Sequence, residues 1–183
     1  MRAGNLRHRA EVLSLAADLS PVSHGSRWTS IRAKESADAP AATGLRSPAM
    51  VEVRARYSPE LLQGRYLRHG NRLLHITGVR DPMGTGAELV LSCHELIGQP
   101  ASYTASGGGA ARPCRVHLTH GVARAGDLTG KAEYTTQAEV ALIEVGRPQA
   151  GAQLLIGSDI WRITGLVDDD DDRITRRMWV KRL

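Results

Sequence analysis

The strongest constraint on this 183-residue chain is a repeat in its own sequence at a constant offset of 87 positions. Gly64, Leu67, Gly70, Ile76, Thr77, Gly78, Val79 and Asp81 recur without a gap as Gly151, Leu154, Gly157, Ile163, Thr164, Gly165, Leu166 and Asp168. The same offset carries Glu52-Val53 onto Glu139-Val140. A repeat of this size is one supersecondary unit written twice, so the fold to be explained is half a chain.

The residue types in the unit specify β-structure. Val51, Val53, Ala55 and Tyr57 alternate with Glu52, Arg54 and Arg56, the period of a strand with one dry face and one charged face. Ala138, Val140 and Leu142 take the same part in the second copy. Gly70-Asn71 and Gly157-Ser158 are turn dipeptides between apolar runs, as in hairpins. Leu74 and Ile76, like Trp161 and Ile163, continue the inward alternation. Gly78 and Gly165 interrupt strand patterns, which marks a bulge or bend of the kind that closes a small barrel. Last strands are expected over 88–93 and 176–181, first strands near 10–15 and 114–118. The expectation is a mainly β chain: two tandem small β-barrels with long loops and little helix.

The first barrel is expected over 1–98, with a long loop at 20–48, and the second over 113–183, joined by a linker at 99–112. Val12 to Val53 spans 41 positions and Val116 to Val140 spans 24, so the first copy carries the longer insertion. That insertion holds Trp28 and the small-residue stretch 39–47, which reads as a flexible loop that orders in an assembly. The linker contains Ser106-Gly107-Gly108-Gly109; no Gly-Lys-Ser/Thr follows, so it is not a phosphate loop. Residues 82–86 read as a flexible turn between the last two strands of the first copy. The second copy has Asp168, Asp169, Asp170, Asp171 and Asp172 at that place. A calcium loop interleaves its ligands with glycine and other residues, so an uninterrupted run reads as a solvated hairpin tip.

The formal charge of +5 falls mostly in the first copy, +4 up to Gln99 and +1 beyond it. This mild excess of scattered arginines is not a nucleic-acid tail. No apolar run approaches the roughly 20 residues that span a bilayer, and no apolar segment follows the basic start. The expectation is a soluble chain made in the cytoplasm, without a membrane partner. Cys93 and Cys114 form neither a disulfide framework nor a metal-ligand spacing. Gly-x-Ser-x-Gly, His-Glu-x-x-His and Cys-x-x-Cys do not occur, and His117 with His120 is only a pair. No catalytic residue, cofactor or metal is expected.

Leu6-Arg7-His8-Arg9, Trp28 with Ala33 after it, Val53-Arg54-Ala55-Arg56-Tyr57, Leu74-His75-Ile76-Thr77-Gly78-Val79 and Glu88-Leu89-Val90-Leu91-Ser92-Cys93-His94-Glu95 stand in order over residues 1 to about 98. This ordered set resembles the phage head–tail joining family, the head-completion or stopper proteins. The family's Gly-x-Glu in the long loop is not matched, since Gly44 is followed by Leu45-Arg46. Gly151, Leu154, Trp161, Ile163, Asp168, Asp169 and Val180 are similar to the short head–tail attachment proteins of other phages.

The resemblance implies a structural, non-enzymatic role in the virion neck. A ring of copies, commonly six, would sit beneath the portal and adaptor, retain packaged DNA, and offer a surface to the tail terminator or tail tube. Candidate interface or channel residues are Trp28, Arg54, Arg56 and the five aspartates from Asp168 to Asp172. Facing the channel, the aspartates would keep DNA from adhering; facing outward, they would dock a basic patch on a neighbour. The tail terminator, itself a β-rich ring protein, and the adaptor are alternatives within the same joint, although no long 3.6-residue period supports a helical adaptor. An OB-like nucleic-acid-binding barrel would need exposed aromatic platforms, whereas Tyr57, Tyr66 and Trp161 are expected to point inward.

Overall fold

Alternation of apolar and polar residues produces strands throughout, and in each half of the chain six of them close on themselves. The computed structural model describes residues 5–33, 44–125 and 132–183, without the side chains of 125, 132, 133 and 168–171. The chain divides into unit one, Met1–Ile97, and unit two, Gly98–Leu183.

Unit one contains β1 (His8–Leu15), β2 (Pro21–Ala33), β3 (Arg46–Arg56), β4 (Tyr66–His69), β5 (Arg72–Arg80) and β6 (Glu88–Leu96). They pair antiparallel in the order β1-β2-β3-β6-β5-β4, and β4 returns to β1 through Val12 opposite Leu67. Among the described residues, closure leaves no free sheet edge. The interior is filled by residues such as Val12, Val53, Leu67, Leu74, Ile76 and Leu91, all fully buried.

Unit two repeats the plan with β7 (Gln99–Thr104), β8 (Arg112–Ala125), β9 (Ala132–Ala141), the short helix α1 (Leu142–Val145), β10 (Gln153–Ile156), β11 (Asp159–Asp171) and β12 (Thr175–Arg182). Its closed order is β7-β8-β9-β12-β11-β10, strand for strand that of unit one. Tyr103, Val116, Val140, Leu154, Trp161, Ile163 and Met178 fill its core.

The 87-residue offset holds down to single hydrogen bonds. Leu67 pairs with Leu74 and Leu154 with Trp161; Ile76 pairs with Cys93 and Ile163 with Val180. The register slips at the same place in both units, between Ile76 and Gly78 and between Ile163 and Gly165. At each bulge the threonine hydroxyl donates across the strands, Thr77 to the Ser92 carbonyl at 3.0 Å and Thr164 to the Trp179 carbonyl at 3.2 Å. Gly64 N donates to Ile76 O (2.9 Å) and Gly151 N to Ile163 O (2.8 Å). Both glycines have positive φ, +84° and +87°, where a side chain would be strained. Thr77→Val and Thr164→Val are each expected to cost about 0.5–1 kcal/mol, equal within a few tenths, by denaturant unfolding.

Several sequence expectations are corrected. Residues 99–104, expected in a linker, form β7, because Tyr103 is buried in the core opposite Leu154. The segment 114–118 therefore lies in the second strand of its barrel, β8, and does not match 10–15. The expected loop 20–48 is strand over Pro21–Ala33, so Trp28 sits on a paired strand rather than in a loop. Measured between corresponding strands, the insertion of unit one is only residues 34–45 against 126–131. Within the 39–47 stretch, 39–43 lie outside the described residues, while Leu45 is fully buried and its carbonyl accepts from Ile97 N at 2.7 Å. Val53 and Val140 are not counterparts: Val53 faces Leu91, whereas the counterpart of Leu91, Met178, faces Ala138. The slip of two residues preserves which face is dry, so the alternation concealed it. Residues 82–86 are not loose, because the Asp81 carboxylate accepts from the backbone N–H groups of Met83, Gly84 and Gly86 at 3.1, 3.0 and 2.6 Å. Those bonds hold the Asp81 carboxyl below its ordinary pKa.

Candidate functional site

A groove of about 450 Å³ lies on unit one, lined by Leu6, Ser26, Arg27, Trp28, Arg56 and Tyr57. Its geometry follows from strand register. On β2, Thr29 and Ile31 point inward and are buried, so Trp28 points outward and is 57% exposed. On β3, Val53 and Ala55 point inward, so Arg54 and Arg56 point outward. Thr29 pairs with Ala55, which brings Trp28 and Arg56 together on the outer face. Tyr57 was expected to continue the inward alternation. Pairing of β3 ends at Arg56, and Tyr57 turns outward to 56% exposure, with its N–H on the Ala87 carbonyl (3.2 Å).

A polar network fixes the walls. Arg27 Nε donates to Ser58 Oγ at 3.1 Å, beside Tyr57. The next turn is clamped by Glu60, whose carboxylate accepts from Arg65 and lies 3.1 Å from His24 Nδ1. The Arg65 hydrogen bond holds the Glu60 carboxyl below its ordinary pKa. His24 Nε2 is in turn 2.8 Å from Ser14 Oγ. Arg27 is thus committed to the scaffold, whereas Arg56 has no carboxylate partner among the described residues.

The candidate residues named from sequence therefore separate. Trp28 and Arg56 meet in the groove. Arg54 shares their face but is engaged with Glu52 (2.8 Å) and Glu88 (3.7 Å). Asp168, Asp169, Asp170 and Asp171 have side chains outside the described residues. Asp172, in unit two, is exposed, and its Oδ1 accepts from Ile174 N and Thr175 N at 2.8 and 3.0 Å, closing the turn into β12. Leu6 and Tyr57 were missed as groove residues; the end of the alternation at Tyr57, before Ser58-Pro59, was the available signal.

The two cysteine thiols lie in the packed structure. Burial pushes the Cys93 and Cys114 thiols up to about 12, so neither forms a thiolate near neutral pH. Among the described residues no group of three or more His, Cys, Asp or Glu is placed to hold a metal ion. An exposed Trp–Tyr–Arg groove on a closed barrel is suited to gripping another surface, since these three residue types dominate the binding energy of interfaces.

The family model for phage head completion proteins matches residues 1–96, the whole of the first barrel and the groove on it. No curated protein and no solved structure matches the chain. With more than half of its length matched by that family and its first six strands closed into one barrel, the chain belongs to the phage head completion proteins, structural components of the virion.

Proposed function

We propose that this head completion protein is a stopper. Copies form a ring, commonly sixfold, beneath the portal and adaptor, hold the packaged genome in the head, and present a docking surface to the tail terminator or tail tube. The observation that carries this reading is the Trp28–Arg56–Tyr57 groove on a barrel of head-completion type. A stopper needs a rigid body and adhesive patches rather than a reaction centre. The closed sheet supplies the first and the exposed aromatic pair with its uncommitted arginine the second. The neck of the virion is the place where such a ring acts.

Particles carrying Trp28→Ala with Arg56→Glu test it. The variant should fold normally, with stability within about 0.5 kcal/mol of the parent because both side chains are exposed. Infectious particles should fall at least tenfold, with DNA-filled heads that lose genome or lack tails in electron micrographs. Unchanged infectivity would remove the groove from the joint.

Outward-facing Trp28 and Tyr57 beside Arg56 also have the composition of a base-stacking platform, which gives the nucleic-acid reading one observation in its favour. Salt-sensitive binding of single-stranded DNA, lost in the same variant, would identify that role.

A further inference from the structure

The repeat gives each position of the groove a counterpart in unit two. Ser102 faces Leu155 as Glu11 faces Arg68, and Arg115 faces Pro100 as Trp28 faces Arg9, so Arg115 stands where Trp28 does. Val116 pairs with Val140 as Thr29 pairs with Ala55, which puts Ala141 and Leu142 at the positions of Arg56 and Tyr57. The backbone agrees: Tyr57 N donates to Ala87 O at 3.2 Å and Leu142 N to Ile174 O at 3.0 Å, and the two acceptors are again one repeat apart.

In unit two the chain fills this place itself. The turn that begins at Leu142 is α1, closed by Gly146 N on Leu142 O at 2.8 Å and packed against β8. Leu142, Ile143 and Val145 are buried. Between them Glu144 grips Arg115, accepting from its backbone N–H and from its Nε, each at 2.9 Å. Unit one has a shorter turn, residues 58–63 before Gly64 against residues 143–150 before Gly151. The one carboxylate in that shorter turn, Glu60, is held by Arg65 and His24. Trp28 and Tyr57 stay open beside Arg56, which is exposed and has no carboxylate partner among the described residues.

We infer that the groove of unit one takes from another protein of the virion what unit two supplies to itself: a short turn with one Asp or Glu between aliphatic side chains. The carboxylate would bond Arg56, a charge-assisted contact. The aliphatic groups would lie on Trp28, Tyr57 and Leu6, whose apolar surfaces line the opening. At about 450 Å³ the groove has the size of a small-ligand pocket, room for a few side chains rather than a broad face. The donor is not α1 of a second copy, because that turn is buried in its own barrel. This deepens the stopper reading of the same groove by giving the chemistry of what the groove grips.

A capped synthetic peptide of residues 140–147 is titrated into the full-length chain, and the indole N–H signals of Trp28, Trp161 and Trp179 are followed by NMR. The Trp28 signal, identified by its loss in Trp28→Phe, should move and saturate with a Kd of about 1 mM or below. A Glu144→Gln peptide should bind about threefold more weakly, and high salt should weaken the parent peptide. Arg56→Glu should reverse the preference and bind a Glu144→Lys peptide more tightly than the parent. A Trp28 signal that does not move, a Gln peptide that binds equally well, or an unchanged preference in Arg56→Glu overturns the inference. So does a single-stranded oligonucleotide that moves the signal where the peptide does not. If the peptide fails while Trp28→Ala with Arg56→Glu particles lose their tails, the inference falls and the stopper reading stands. If the peptide binds while those particles stay infectious, the inference stands and the groove's part in the joint falls.

Discussion

Ile76→Ala should melt unit one and leave unit two in place, and Ile163→Ala should do the reverse. Both isoleucines are essentially fully buried, 0% and 1% exposed, and they are counterparts beside the same bulge. Each closed barrel has its own interior, Ile76 with Leu67, Leu74 and Leu91, and Ile163 with Leu154, Trp161 and Met178. Truncating a buried isoleucine removes its transfer free energy and leaves a cavity, at a cost of about 2–5 kcal/mol. For a unit of under 100 residues that is a large share of total stability. Each kcal/mol moves the midpoint of such a domain by about 4–8 °C, so a shift of roughly 8–40 °C is expected in one calorimetric transition. Equal shifts of both transitions in either variant would mean that the halves melt as one body.

Acid should weaken unit one well before its carboxylates protonate. His75 lies under the Arg46 segment, beside Tyr66 at 5.1 Å between ring centroids, and is 9% exposed. Burial first, then the nearby Arg46 and His94, push its pKa down to about 4 from 6.5. The folded state therefore rejects a proton that the unfolded chain accepts. Stability from this site is fully present above pH 6.5, declines as pH falls from 6.5 to 4, and is gone below 4, a loss of about 3 kcal/mol. Glu11, Glu60 and Asp81 also have lowered pKa values, but their contributions fade only below their ordinary values of 4.5, 4.5 and 3.8. Denaturant unfolding of His75→Leu between pH 7 and 5 separates the two: the variant should be nearly flat where the parent declines. Equal slopes would mean that His75 takes up its proton in the folded barrel.

What the sequence revealed and what it concealed follow from local physics. The hairpins β4–β5 and β10–β11 were legible because inward Leu67, Leu74 and Ile76, with Leu154, Trp161 and Ile163, alternate strictly and share the Thr-Gly bulge. β2 was hidden because Val22, Ser23, Gly25 and Ser26 are all exposed; only from Thr29 onward does one side of the strand turn dry. β7 was hidden because it places one large side chain, Tyr103, in the core and lies beside a glycine run. Trp161 points inward as expected, but Tyr66 is buried outside the barrel, beneath another segment of chain. Alternation reports which residues share a face; it does not report whether that face is later covered. The groove was half legible: Trp28 and Arg56 were identified, while their meeting depended on pairing β2 with β3, which the loop reading had excluded.

An electron cryomicroscopy map of the mature particle's neck tests the proposed role most directly. This chain is expected in a ring at the head–tail joint, each copy resolved as two six-stranded barrels, with the Trp28–Arg56–Tyr57 groove filled by a neighbouring protein. Particles whose neck lacks the chain, or in which residues 98–183 form anything other than a second barrel of the same strand order, would contradict it.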